Sequence, residues 1–188
     1  MKKITFIFAV ILSLSRIYSF TDEEFKEATN ETIIHLASEG DMETIKLMMY
    51  LNPDFNYQDK IGWTALLGAV KYGHTDVVKF LIKNNVDVNK GETEYGVTPL
   101  MQASERGYLE IVKLLVKNNA EINKKNTSGV TALMMAAGSG HSKVTKYLIE
   151  KGAGVNIRAY NGYTALKFAI VYEYYEVAEL LTKYNAIE

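Results

Sequence analysis

Gly62-Trp63-Thr64-Ala65-Leu66, Gly96-Val97-Thr98-Pro99-Leu100, Gly129-Val130-Thr131-Ala132-Leu133 and Gly162-Tyr163-Thr164-Ala165-Leu166 are one phrase written four times, at steps of 34, 33 and 33 residues. A fixed period of this length is the signature of stacked structural repeats, so it outranks any single motif. Two more columns keep the period. One runs through Asn52, Asn85, Asn119, Gly152 and Asn185, the other through Asn56, Asn89, Asn123 and Asn156.

Each column predicts a piece of structure. The threonine before Ala-Leu or Pro-Leu is an N-cap, its oxygen accepting an otherwise unpaired backbone N–H. Pro99 then stands at the first helical position, where a missing N–H costs little. Ala69, Ala103, Ala136 and Ala169 follow, small enough for helices to approach closely. Gly73, Gly107 and Gly140 end the first helix in a left-handed conformation. A second helix carries Val77, Val78, Phe80, Leu81 and Ile82, matched by Ile111, Val112, Leu114, Leu115 and Val116, with Lys79, Lys113 and Lys146 as a solvated column. Asn85, Asn119, Gly152 and Asn185 tolerate the positive φ that ends it. Each unit is thus a loop and two antiparallel helices.

These residues resemble the ankyrin repeat, whose consensus runs roughly G-x-T-P-L-x-x-A-x-x-x-G-H and then V-x-x-L-L-x-x-G-A-x-x-N. The resemblance covers about residues 31–188. It implies an all-α solenoid of helix-turn-helix units joined by β-hairpin-like loops, with a capping unit at 31–56 and full repeats at about 57–89, 90–123, 124–156 and 157–188. Residues 20–30 are expected as a short lead-in. The chain departs from the family where only Pro99 keeps the proline. Leu67, Met101, Met134 and Lys167 stand where the family often has a histidine. Glu173 replaces the inter-helix glycine of the last unit, as suits a terminal unit facing solvent. An extra residue near 91–93 lengthens one hairpin.

The first residues follow another pattern. Lys2 and Lys3 precede an apolar run from Ile4 to Leu14, and Ser15 to Ser19 offer small residues for cleavage. This predicts a signal peptide over 1–19 and an exported protein, periplasmic or secreted, beginning near Phe20. The apolar run is shorter than the roughly 20 residues of a membrane-spanning helix, so no span is expected after cleavage. The formal charge of -1 becomes -4 once Lys2, Lys3 and Arg16 are removed. Neither value gives the clustered basic face that nucleic acid requires. Cysteine is absent, which excludes disulfides and thiolate chemistry.

Several residues invite sharper roles that the repeat already explains. His74 and His141 occupy the family's Gly-His column, and His35 stands alone in the capping unit, so no metal site is expected. Gly138-Ser139-Gly140 and Gly152-Ala153-Gly154 lack the context of a phosphate loop. The acids Asp22, Glu23, Glu24 and Glu27 suit a helix N-terminus begun by Thr21 or Asp22. Sequons fall at Asn30 and Asn126. No catalytic residue and no cofactor is expected.

The residues the repeat does not dictate are the candidates for function. In the family, partners meet the hairpin tips and the exposed side of the first helix along a concave face. Here those positions are Lys60, Ile61, Trp63, Lys71 and Tyr72, then Glu94, Tyr95, Val97, Glu105 and Arg106. They continue as Thr127, Ser128 and Val130, then Tyr160, Asn161, Tyr163, Val171 and Tyr172. Six are aromatic, and such side chains dominate binding hot spots. Trp63, Tyr95 and Tyr163 are expected in one outward column just after the hairpin glycines, with Val130 in the third unit. The expected function is an exported, monomeric protein-interaction module with a protein partner. The alternatives are a structural subunit of an envelope assembly and a small-ligand protein or enzyme.

Overall fold

The computed structural model describes residues 21–187. The expected signal segment 1–19 lies outside the described residues. Ten α-helices follow in order: α1 Asp22–Glu39, α2 Met42–Met48, α3 Ala65–Lys71, α4 Thr75–Lys83, α5 Pro99–Glu105, α6 Leu109–Lys117, α7 Ala132–Gly138, α8 Ser142–Glu150, α9 Ala165–Val171 and α10 Tyr175–Lys183. A 3-10 turn at Met49–Leu51 closes α2. No strand occurs among the described residues. The architecture is all-α, with units of paired helices, as the period predicts.

Local chemistry starts and stops these helices where the columns place it. Thr64, Thr98, Thr131 and Thr164 are extended N-caps whose Oγ1 atoms accept from Leu67, Met101, Met134 and Lys167 N–H. All four threonines are buried, where an unpaired helix N–H would cost most. Asn52, Asn85, Asn119, Gly152 and Asn185 all take positive φ, between 51° and 92°. At α1, Thr21 and Glu24 form a capping box. The bonds Glu24 makes to the backbone and side chain of Thr21 hold its carboxyl below the ordinary value. No glycine or proline interrupts the sequence from Asp22 to Glu39, and α1 runs unbroken through residue 31. The expected lead-in and capping unit therefore share one helix.

Between units, three devices repeat. Leu66, Leu100, Leu133 and Leu166 form one buried column, backed by Leu81, Leu115, Leu148 and Leu181. Each such side chain contributes roughly 1.5–3 kcal/mol of burial. Asn56, Asn89, Asn123 and Asn156 accept through Oδ1 from the backbone N–H of Asp87, Glu121, Gly154 and Ile187 in the following unit. Three of them also donate through Nδ2 to a carbonyl of that unit, at Asn119, Gly152 and Asn185.

The third device is a ring laid over each inter-helix glycine. His74 covers Gly40, Tyr108 covers Gly73, His141 covers Gly107 and Tyr174 covers Gly140. His74 and His141 also place Nε2 at 2.9 and 2.8 Å from the carbonyls of Ser38 and Glu105. The histidines are structural, and the glycines are required twice over, by positive φ and by the ring. Glu173 keeps the positive φ, at 64°. The last unit also shows Lys167 where the others bury Leu67, Met101 and Met134.

Other details revise local expectations. His35 is exposed and paired with Glu39 at 3.3 Å, so it holds up the surface of α1 rather than a core. Asn30 is 4% exposed and its Oδ1 accepts from Asp54 N–H, so burial keeps this side chain from solvent in the folded protein. Asn126 Oδ1 accepts from Ser128 and Val130 N–H.

Candidate functional site

First helices pack much more closely on one another than second helices do. The hairpin tips continue the side of the stack formed by the first helices, and the two together are termed the inner face. The hairpins are built from side chains that grip backbone N–H groups. Asp59 Oδ1 accepts from Ile61 and Trp63, and Asn126 does the same for Ser128 and Val130. In the lengthened hairpin the longer Glu92 takes over, accepting from Glu94, Tyr95 and Val97. Burial pushes the Glu92 carboxyl up, but the N–H groups of Val97, Tyr95, Glu94 and Gly96 outweigh it and hold it below the ordinary range. Neighbouring tips are tied by Thr93 N–H to Ile61 O, Thr127 N–H to Tyr95 O and Tyr160 N–H to Ser128 O. The tips are therefore a positioned row rather than loose loops.

Of the residues expected on this face, Lys60, Ile61, Tyr72, Glu94, Tyr95, Glu105, Arg106, Thr127, Ser128, Tyr160, Asn161, Val171 and Tyr172 are exposed. Trp63, Lys71, Val97, Val130 and Tyr163 are half-buried, and Val97 and Val130 pack on the core. The supposed column of Trp63, Tyr95 and Tyr163 needs correction. Tyr95 precedes Gly96, and Val97 takes the place after it. Tyr95 instead shares the position before the hairpin glycine with Ile61, and both are exposed there, at 56% and 61%.

The structure gathers these residues into two clusters. At the first full unit, Ile61, Trp63, Lys71 and Tyr72 line a groove of about 270 Å³ with Ile34, Ser38 and Asp59. Gly68 lets α3 approach α1 here, because a Cβ there would strike Ser38 and crowd the Ile34 carbonyl. Lys71 Nζ lies 4.8 Å from the Trp63 ring centre and 5.6 Å from that of Tyr72, within cation–π range. At the last unit, Phe168 meets Tyr163 edge-on at 5.7 Å and stacks on Tyr172 at 6.3 Å. Gly138 lies beneath the Phe168 and Tyr172 rings. Lys125 Nζ sits 5.7 Å from the Tyr160 ring.

Ile34, Ser38, Asp59 and Phe168 were not on the expected list. Phe168 shares a column with His35, Gly68, Gln102 and Met135, which changes identity in every unit. That variability was the available signal.

The opposite face differs. A groove of about 300 Å³ between α8 and α10 is lined by Ser142, Lys143, Lys146, Glu176, Glu179, Leu180 and Lys183. Lys183 and Glu179 pair at 3.3 Å. On α6, Lys113 pairs with Glu110 and, by hydrogen bond and charge, holds that carboxyl below its ordinary value. Interspersed and self-paired charges describe a solvated surface. Among the described residues no group of three His, Asp or Glu side chains could hold a metal, and no helix is long and apolar enough to cross a membrane.

Comparison with known proteins agrees with the geometry. The family model for ankyrin repeats matches residues 33–126 and 118–188. An ankyrin repeat protein of Acanthamoeba polyphaga mimivirus is 30% identical over 73 residues, 38% of this chain and 45% of that protein. The ankyrin repeat and SAM domain-containing protein 6 of Rattus norvegicus is 36% identical over 50 residues, 26% of this chain and 6% of that protein. The chain spans less than half the length of either relative.

Proposed function

Because the chain belongs to the ankyrin-repeat family, whose repeats imply protein–protein interaction, we propose that it binds a protein partner across the inner face of its stack. One observation carries this reading. Large apolar side chains recur along that face, with Ile61 at 61%, Tyr95 at 56%, Tyr160 at 74% and Tyr172 at 57% exposed, whereas Tyr50 and Tyr175 are exposed off it at the two end units. Exposed aromatic groups held on a positioned row are what a binding hot spot requires. Gly68 further lets α1 and α3 sit close, since a Cβ there would strike Ser38.

The test is site-specific photo-crosslinking. A photoreactive residue at position 72 or 172 is expected to capture one partner, and one at position 79, on the second-helix face, to capture none. Capture at 79 with none at 72 or 172 would move the interface to the lysine column.

We propose further that residues 1–19 direct export. The capping box at Thr21 gives α1 its own start two residues after Ser19, which supports cleavage there without loss to the fold. N-terminal sequencing of exported material is expected to begin near Phe20, and an intact Met1 would remove this part of the proposal.

A further inference from the structure

The two clusters on the inner face differ in charge, and the difference points to the partner's chemistry. Lys71 stands on a first-helix column whose later members are Glu105, Gly138 and Val171. Its ammonium is held between the Trp63 and Tyr72 rings. The main chain of Trp63 is held by its N–H, which donates to Asp59 Oδ1 at 2.8 Å. Lys71 makes no hydrogen bond or ion pair with any described residue, so its donors are unused. One acid, Asp59, lines the same groove; its Oδ1 accepts from Ile61 and Trp63 N–H, and it forms no ion pair with Lys71. Lys60, exposed on the adjacent tip, adds positive charge.

A cation resting beside two rings has already given up part of its side-chain freedom, so less entropy remains to be lost when an anion arrives. Charge-assisted bonds to a carboxylate are the strong partners for such donors. The groove's 270 Å³ falls below the roughly 300–1,000 Å³ of small-molecule sites and suits one side chain projecting from a larger molecule. Ile34 and Ile61 supply an apolar lip. We infer that the groove between the capping unit and the first full unit receives an acidic side chain of a peptide segment, its carboxylate seated on Lys71 between Trp63 and Tyr72. The inference rests on the inner face being the binding surface.

A phage-displayed library of random peptides, panned in parallel on the full chain and on Lys71→Met, tests this directly. The methionine keeps the aliphatic stem and removes the charge. Trp63 is the only tryptophan in the sequence, so its emission reads out groove binding by each selected peptide. Wild type is expected to enrich peptides with Asp or Glu beside apolar residues. Their affinity should fall about tenfold or more in Lys71→Met and be largely restored in Lys71→Arg. Replacing the acid with its amide should cost a similar factor. Peptides without an acidic preference, an acidic preference that survives Lys71→Met, or no enrichment at all would overturn the inference. If peptides lacking an acid bind and are lost on Tyr172→Ala, the inner face stands as the interface and only the carboxylate seat falls.

Discussion

Trp63, Lys71 and Tyr72 occupy the same repeat positions as Tyr163, Val171 and Tyr172, yet the two ends of the inner face present different chemistry. The first end is a groove with a cation between two rings. The second is a stack of rings over Gly138, with Phe168 where the first end has Gly68. The backbone scaffold beneath them is the same, down to the threonine cap and the asparagine ladder. A repeat therefore fixes where a side chain projects, and the few unconstrained columns decide what it offers. Perturbing the shared scaffold should damage both ends alike through stability, while perturbing the columns should separate them.

The largest effect belongs to the scaffold. Leu133, 1% exposed in the middle of the stack, should cost about 2–5 kcal/mol on mutation to alanine, read by denaturant unfolding. If Leu133→Ala costs no more than Tyr172→Ala, the distinction between core and face collapses. Next come the glycines. Gly107→Ala must strain a φ of 72° and collide with the His141 ring, whereas at Gly162 nothing lies within 4 Å and only the φ of 85° resists. Gly162→Ala should cost about 1–2 kcal/mol, the left-handed penalty alone, and Gly107→Ala clearly more in the same assay. Equal costs would mean that the ring yields freely and does not lock the units together.

A smaller effect distinguishes one hairpin from the others. The Glu92 carboxyl is held below its ordinary pKa by hairpin N–H groups. A depressed folded value means that its contribution is fully present above the ordinary carboxylate pKa and is lost as pH falls through the folded value. Amide exchange at Tyr95 and Val97 should therefore lose protection at acid pH relative to the Asn126 hairpin, whose cap does not titrate. In Glu92→Gln that extra pH dependence should disappear. The smallest effect is in the core itself. Ser104 Oγ and Thr145 Oγ1 are buried without a hydrogen-bond partner. Ser104→Ala should then be neutral or stabilising by up to about 1 kcal/mol, and a clear loss of stability would reveal a missed partner.

Much of this fold could be read from residues alone, because caps and left-handed positions are local chemistry. Thr64 must meet Leu67 N–H for α3 to start, whatever lies across the stack, and Asn85 must take positive φ for α4 to end. The inner face was less legible because exposure depends on the neighbouring unit. Val97 and Val130 looked available from their position but pack on the core. Phe168 looked like another helix residue, yet its ring meets both Tyr163 and Tyr172. Tyr95 was misplaced by one position: it precedes its hairpin glycine, as Ile61 does, and Val97 follows it. The rings over the inter-helix glycines were half visible: His74 and His141 fitted the family column, whereas Tyr108 and Tyr174 perform the same packing without the motif.

The central claim is that the exposed aromatic groups serve recognition and the buried columns serve the fold. The most direct test measures melting temperature and affinity together, for the partner captured by crosslinking, across Tyr72→Ala, Tyr172→Ala and Leu133→Ala. The two tyrosine variants, each 57% exposed in the wild type, should melt within about 4 °C of wild type yet bind at least about tenfold more weakly. Tyrosine variants that melt as early as Leu133→Ala, or that keep wild-type affinity, would contradict the account.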